Sequence, residues 1–158
     1  MGRLPVILAL ALAFLWAYQS MPAAGWVYED TALMVSSAAR PAIGPRALTY
    51  WTWRVARSPQ ASHVLNLALH AVVAVLVGLF AVRLGLSSWA GWVATAFVLL
   101  HPLAVESVAY ATGRAELLAA IGVLLACLTA PGPHAWWRWI VVAGCVALAV
   151  LSKESAVV

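Results

Sequence analysis

Residues 99–120 read LLHPLAVESVAYATGRAELLAA, an apolar run that carries Glu106, Arg114 and Glu116 in its middle. The chain around them is poor in charge: 65% of its 158 residues are hydrophobic, 9% are charged and the mean hydropathy is +0.97. Soluble domains carry about a quarter charged residues, so this is the composition of a membrane protein. The quoted stretch then reads as the place where one spanning helix stops, at Pro102, and the next begins, with the charges gathered at the turn.

Working outward, the uncharged runs at 4–21, 64–82, 84–105, 113–130 and 136–152 predict about five spans, since a helix needs roughly 20 apolar residues to cross a bilayer. The second holds only Asn66 and His70 as polar residues, best read as a hydrogen-bonded packing pair. PGP at 131–133 separates the last two, and the fifth is long enough if Arg138 snorkels to the interface. A cleaved signal peptide is the competing reading of the first run, because Arg3, the apolar stretch and the small residues of PAAG imitate its three regions. Cys127 and Cys145 fall inside spans and read as small packing residues, with no disulfide framework. Gly-rich phosphate loops and clustered His/Cys metal spacings are absent from the sequence. The net charge of +4 comes from dispersed basic residues, which points to anionic lipid or phosphate and away from nucleic acid.

Alternating the spans sorts the charges. Arg3, Arg83 and Arg138 fall on the side of the N-terminus, on connections without acids. The opposite side receives all five acids, Glu29, Asp30, Glu106, Glu116 and Glu154, with Arg40, Arg46, Arg54, Arg57, Arg114 and Lys153. Acids from distant positions on one face suggest a common site; solvated loop residues are the plainer account. Spacing does not decide between the two for Glu29 and Asp30, in the loop 23–63. Glu106, Arg114, Lys153 and Glu154 stand at helix ends beside apolar spans, where burial without partners is costly, and there function is favoured. The positive-inside rule would put the side with more Lys and Arg in the cytoplasm. The chemistry below puts that side outside, and a cytoplasmic N-terminus is the orientation expected here.

The first loop contains RALTYWTWRVAR, 46–57. Helical spacing puts Arg46, Tyr50, Arg54 and Arg57 on one face and Leu48, Trp51 and Val55 on the other, which predicts an interfacial helix. It serves either as a surface anchor or as a reader of lipid phosphate. Most of the nine tryptophans fall near span ends, as interfacial belts do.

The succession VYEDTA at 27–32, RALTY at 46–50, NLALH at 66–70, HPLAVESVAYATGRAELLAA at 101–120 and LSKES at 151–155 resembles the transmembrane and tetratricopeptide-repeat proteins. These are GT-C fold glycosyltransferases related to the protein O-mannosyltransferases. The resemblance implies an all-α polytopic membrane protein with a GT-C-like helical bundle. It implies a single N-terminal transmembrane domain, 1–158, belonging to a larger enzyme. That enzyme moves mannose or another hexose from a polyprenyl-phosphate donor to a hydroxyl acceptor, such as Ser or Thr of a protein. Transfer takes place at the outer or lumenal face of a plasma, inner or endoplasmic reticulum membrane, with membrane lipids as surroundings. The family's first external loop carries an acidic pair, usually two aspartates; Glu29 and Asp30 stand there, with Glu29 a departure. Ala47 replaces a frequent proline, and no repeats follow.

The chemistry implied needs a carboxylate base for the acceptor hydroxyl and cations for the departing phosphate. On that reading Asp30 is the base, assisted by Glu29. Arg114, Lys153, Arg54 and His101 face the lipid phosphate, and Glu106, Glu116 and Glu154 position or pair them. The resemblance fixes no cofactor, and assistance by a divalent metal is left open. The rival reading is a non-catalytic polytopic module or a transporter subunit. Transporters place ionisable groups near the midplane, often in related repeats, whereas these span interiors hold Asn66 and His70 without a charge.

Overall fold

The computed structural model describes residues 3–27, 30–32, 46–130, 136–153 and 156. These form helices without strands. They comprise α1 (Leu4–Ala17), α2 (Ala47–Val55), α3 (Pro59–Arg83), α4 (Ser88–Leu100), α5 (Ala104–Ala109), α6 (Arg114–Thr129) and α7 (Trp136–Ser152). Short 3-10 turns lie at Met21–Ala23 and Ala111–Gly113. Glu29, Arg40 and Glu154 lie outside the described residues.

Among the described residues, three segments are long and apolar enough to cross a membrane: Leu4–Ala23, Pro59–Arg83 and Ala111–Thr129. The helices Ser88–Leu100 and Trp136–Ser152 are apolar but shorter. The run 84–105 is therefore not one continuous helix. Ser87 caps α4 through its side chain, which accepts from Ala90 N–H at 3.2 Å. The chain leaves the helix at His101, where Pro102 disfavours helical geometry in the residue before it. Ser58 caps α3 in the same way, accepting from Ala61 N–H at 3.1 Å, and Pro59 occupies the first turn.

α3 lies against α4 and α6, and α6 against α7; α3 and α6 run parallel, since Arg114 meets Ser62 and Asn66 at their first turns and Arg83 meets Ala130 at their last. α3 and α4 cross at Gly78 and Gly91, where a Cβ on Gly91 would stand 3.0 Å from the Gly78 carbonyl oxygen. Without a hydrophobic force between helices in lipid, such close backbone approach supplies the packing. Long-range bonds fix which ends meet. Arg83 Nη2 donates to Ala130 O at 2.7 Å at one end. At the other, Thr49 Oγ1 donates to Ser152 O at 2.9 Å, and a His63 Nε2–Gly25 O contact of 3.1 Å ties α3 to the chain after α1.

α2 lies at that second end and is docked on the bundle. Ala47, Thr49, Tyr50 and Trp53 are buried, while Trp51 and Val55 are exposed. The expected helix is present, and Trp51 and Val55 face outward from the bundle. Tyr50, placed with the arginines by helical spacing, is instead packed on Trp53 with ring centroids 5.5 Å apart.

Candidate active site

The charged turn of the opening stretch folds as a compact unit. After α5 the chain makes its 3-10 turn, and Gly113 closes it: a Cβ there would collide with the Ser107 carbonyl. Close approach, and not an unusual φ, therefore requires glycine. The turn launches α6 with Arg114 pointed inward.

Arg114 is fully enclosed, with 0% of its surface exposed. Its Nε donates to Asn66 Oδ1 at 2.8 Å, Nη2 to Ser62 O at 3.3 Å and Nη1 to Thr52 Oγ1 at 3.5 Å. Asn66 Nδ2 donates in turn to Val108 O at 3.2 Å and Tyr110 O at 2.8 Å. The amide thus joins α3, the 108–110 backbone and the guanidinium in one polar network. The expected Asn66–His70 pair does not form: His70 Nε2 lies 3.3 Å from Leu99 O. Arg114, expected to face lipid phosphate, is held by protein atoms instead.

Asp30 is 1% exposed, and both its carboxylate oxygens accept from Ala111 N–H at 3.0 Å. It also interacts electrostatically with Arg114. Trp53 Nε1 donates to Ala111 O at 3.0 Å, so both backbone polar groups of Ala111 are claimed by residues of the segment before α3. A buried carboxylate and a buried guanidinium thus stabilise one another and are each completed by hydrogen bonds, the condition under which buried charge is tolerated.

In front of this network lies a polar groove of about 460 Å³. Its walls are Glu106, Ser107 and Tyr110 from α5 and its exit, Thr112, Gly113, Ala115 and Glu116 from the turn and α6, with Arg46 and Lys153. Lys153 and Glu116 form an ion pair across it. Residues separated by more than a hundred positions, Arg46 and Lys153, are brought to one cavity.

The sequence-predicted residues therefore divide. Glu106, Glu116 and Lys153 line the groove. Asp30 stands behind it, bonded to Ala111 between the lining residues Tyr110 and Thr112. Arg114 is deeper still. Arg54, in the last turn of α2, and His101, at the end of α4, lie outside the described lining; His101 Nδ1 accepts from Leu103 N–H at 3.3 Å and its ring lies against Phe97. Glu29 and Glu154 fall outside the described residues. Among the described residues, no group of three His, Cys, Asp or Glu side chains is arranged to hold a metal ion.

Sequence reasoning passed over Tyr110 and placed Arg46 only on the polar face of the interfacial helix, not beside Lys153 and Glu116. Arg46 has a left-handed backbone, φ 63° and ψ 14°, at the start of α2. Such strain in a residue other than glycine concentrates at functional positions. Its presence in the RALTY motif was the available signal.

No family model matches the chain and no solved structure matches it. Similar curated proteins do exist. The chain is 33% identical, over 123 residues covering 71% of it, to "Protein O-mannosyl-transferase TMTC3" of Mus musculus, and 34% identical over 123 residues to the protein of that name from Homo sapiens. It is 34% identical over 110 residues to "Protein O-mannosyl-transferase Tmtc2" of Drosophila melanogaster. The matched stretch spans 13% of the first two relatives and 12% of the third. The chain is a membrane protein similar to a limited portion of proteins bearing those names.

Proposed function

We propose that this chain forms the lipid-donor region of a multi-pass membrane glycosyltransferase with a GT-C-like bundle. It binds a polyprenyl-phosphate sugar and passes the sugar, mannose or another hexose, to a hydroxyl of an acceptor such as a Ser or Thr of a protein. The reaction lies at the outer or lumenal face and the N-terminus in the cytoplasm. The observation that carries this reading is the polar groove at one end of an apolar bundle. It joins two cations, Arg46 and Lys153, to carboxylates, and it is built from the HPLAVESVAYATGRAELLAA and SKE segments.

The step balances as follows. The acceptor oxygen bonds to the anomeric carbon while the bond from that carbon to the phosphate oxygen breaks. The acceptor proton passes to a carboxylate, and the electron pair leaves on the lipid phosphate. Lys153 and Arg46 lie where that charge develops, and preorganised cations lower the barrier most at such a place. Asp30 is the base of this proposal: the acceptor hydroxyl replaces Ala111 N–H as its hydrogen-bond partner. Arg114 acts from behind, positioning Asp30 and the 108–110 backbone, and Glu106 positions the acceptor.

One observation favours a second reading. Asp30 and Arg114 are both enclosed and tied to neighbouring atoms, as in a structural lock of a non-catalytic membrane module. Turnover separates the two. Membranes carrying the protein expressed from its intact gene, given radiolabelled mannosyl-phosphoryl-polyprenol and a Ser/Thr-rich peptide, should transfer label. Asp30→Asn should lower transfer by about two to four orders of magnitude with donor binding retained. Normal transfer in folded Asp30→Asn, with loss in Glu106→Gln, would move the base to Glu106; label transfer absent from the unaltered protein would favour the module.

A further inference from the structure

The opposite end of the bundle carries a second cavity, unrelated to the charged groove. It occupies about 610 Å³ between α1, α3 and α4, and its walls include Ile7, Phe14, Val75 and Trp92, with Arg3 and Ser88 at one end. That volume falls in the ~300–1,000 Å³ range of ligand sites.

The cavity is a wedge. α1 buries none of its residues, yet its far end is pinned: Phe14 and Tyr18 lie against His70, with ring centroids 6.3 and 6.0 Å away. Between that pinned end and Arg3 the three helices leave a gap lined by α1 from Arg3 to Phe14 and by facing residues of α3 and α4, with α1 also touching α4. Arg3 to Phe14 covers about 16 Å at roughly 1.5 Å per residue, close to half of a ~30 Å hydrocarbon layer. The wedge therefore has about the depth of one leaflet, a largely apolar lining and Arg3 at one end. An apolar gap left empty forfeits dispersion contacts along its whole lining, and the material at hand in a bilayer is an acyl chain.

We infer that this wedge holds one acyl chain of an anionic glycerophospholipid from the leaflet on the Arg3 side, its phosphate paired with Arg3 and within reach of Ser88. The inference does not depend on the transferase reading, since the wedge shares no residue with the polar groove. A lipid seated here fixes the tilt of α1 and, through Phe14 and Tyr18, the packing at His70.

Native mass spectrometry of the protein released from equimolar phosphatidylglycerol and phosphatidylcholine vesicles tests it. The unaltered chain should retain one phosphatidylglycerol. Arg3→Gln should keep a lipid but lose about fivefold of the preference for the anionic headgroup. Ala11→Trp, which fills the wedge from a helix otherwise facing lipid, should lose the retained lipid while circular dichroism stays unchanged. Retention undiminished by Ala11→Trp, equal retention of the two lipids by the unaltered chain, or a second copy of the chain found on this face would each overturn the inference.

Discussion

Arg114 shows what a single buried charge demands. Its guanidinium is satisfied by Asn66, Ser62 and Thr52, and Asn66 closes the circuit to the backbone at 108 and 110. Removing Asn66 leaves a buried guanidinium N–H and the carbonyls of 108 and 110 short of a partner, at about 1–3 kcal/mol per unsatisfied group. Asn66→Leu should therefore destabilise the chain by roughly 3 kcal/mol, measured as reversible unfolding in mixed micelles. The cost should fall well below the sum of the single effects when Asn66→Leu is combined with Arg114→Leu, as groups in one network are not additive. Additive losses would mean the two side chains act separately. The need for partners around Arg114 was readable from its place beside an apolar span. Their identity was not: Asn66 is 48 positions away, and its neighbour one turn on, His70, was the local choice. Helical spacing reports which residues share a face, not which carbonyl of another helix end they meet. The pairing of an acid with Lys153 was legible as a tendency, and the structure selects Glu116.

At the scale of elements, α2 and the Ala111–Gly113 turn decide the shape of the groove. α2 was visible as an amphipathic segment, and its boundaries agree with the sequence expectation to within a residue or two at each end. Which of its faces docks was misread at Tyr50, because aromatic residues suit either an interface or a packed surface. The turn depends on Gly113. Gly113→Ala must displace the Ser107 backbone, and overpacking of this kind costs about 1–3 kcal/mol. The variant should lose stability in the same unfolding measurement, and the Lys153–Glu116 pair should be disturbed with it. An unaffected variant would show that the turn has room. Trp53→Phe removes the bond to Ala111 O together with part of a buried ring packed on Tyr50 and should cost about 2–3 kcal/mol. The break in the run 84–105 was legible at Pro102, but hydropathy alone carried the predicted span onward to 105, since Leu103, Ala104 and Val105 are as apolar as the helix before them.

For the whole molecule, the up-and-down course of the helices brings Arg46, 106–116 and Lys153 to one end and Arg3, Arg83 and Ser88 to the other. Of the acids expected on one side, the described ones, Asp30, Glu106 and Glu116, do meet at one end of the bundle. Among the described residues three segments have spanning length, and the cavity between α1, α3 and the shorter α4 depends on helix tilt, which no sequence period encodes. In a background with Cys127 and Cys145 replaced by Ala, Gln60→Cys and Ser107→Cys should react with an impermeant thiol reagent from one side of sealed vesicles, and Leu86→Cys from the other. The same sidedness for all three would contradict the arrangement.

The central claim is that the polar groove receives the phosphate of a lipid-linked sugar, and photocrosslinking tests it most directly. A mannosyl-phosphoryl-polyprenol bearing a diazirine beside the phosphate, irradiated with the protein in its membrane and mapped by peptide mass spectrometry, should label residues 104–116 and the segment around 153. Lys153→Met should reduce that labelling by about tenfold, the effect of losing a charge-assisted bond worth roughly 1.5 kcal/mol. Labelling confined to other segments, or unchanged by Lys153→Met, would contradict it.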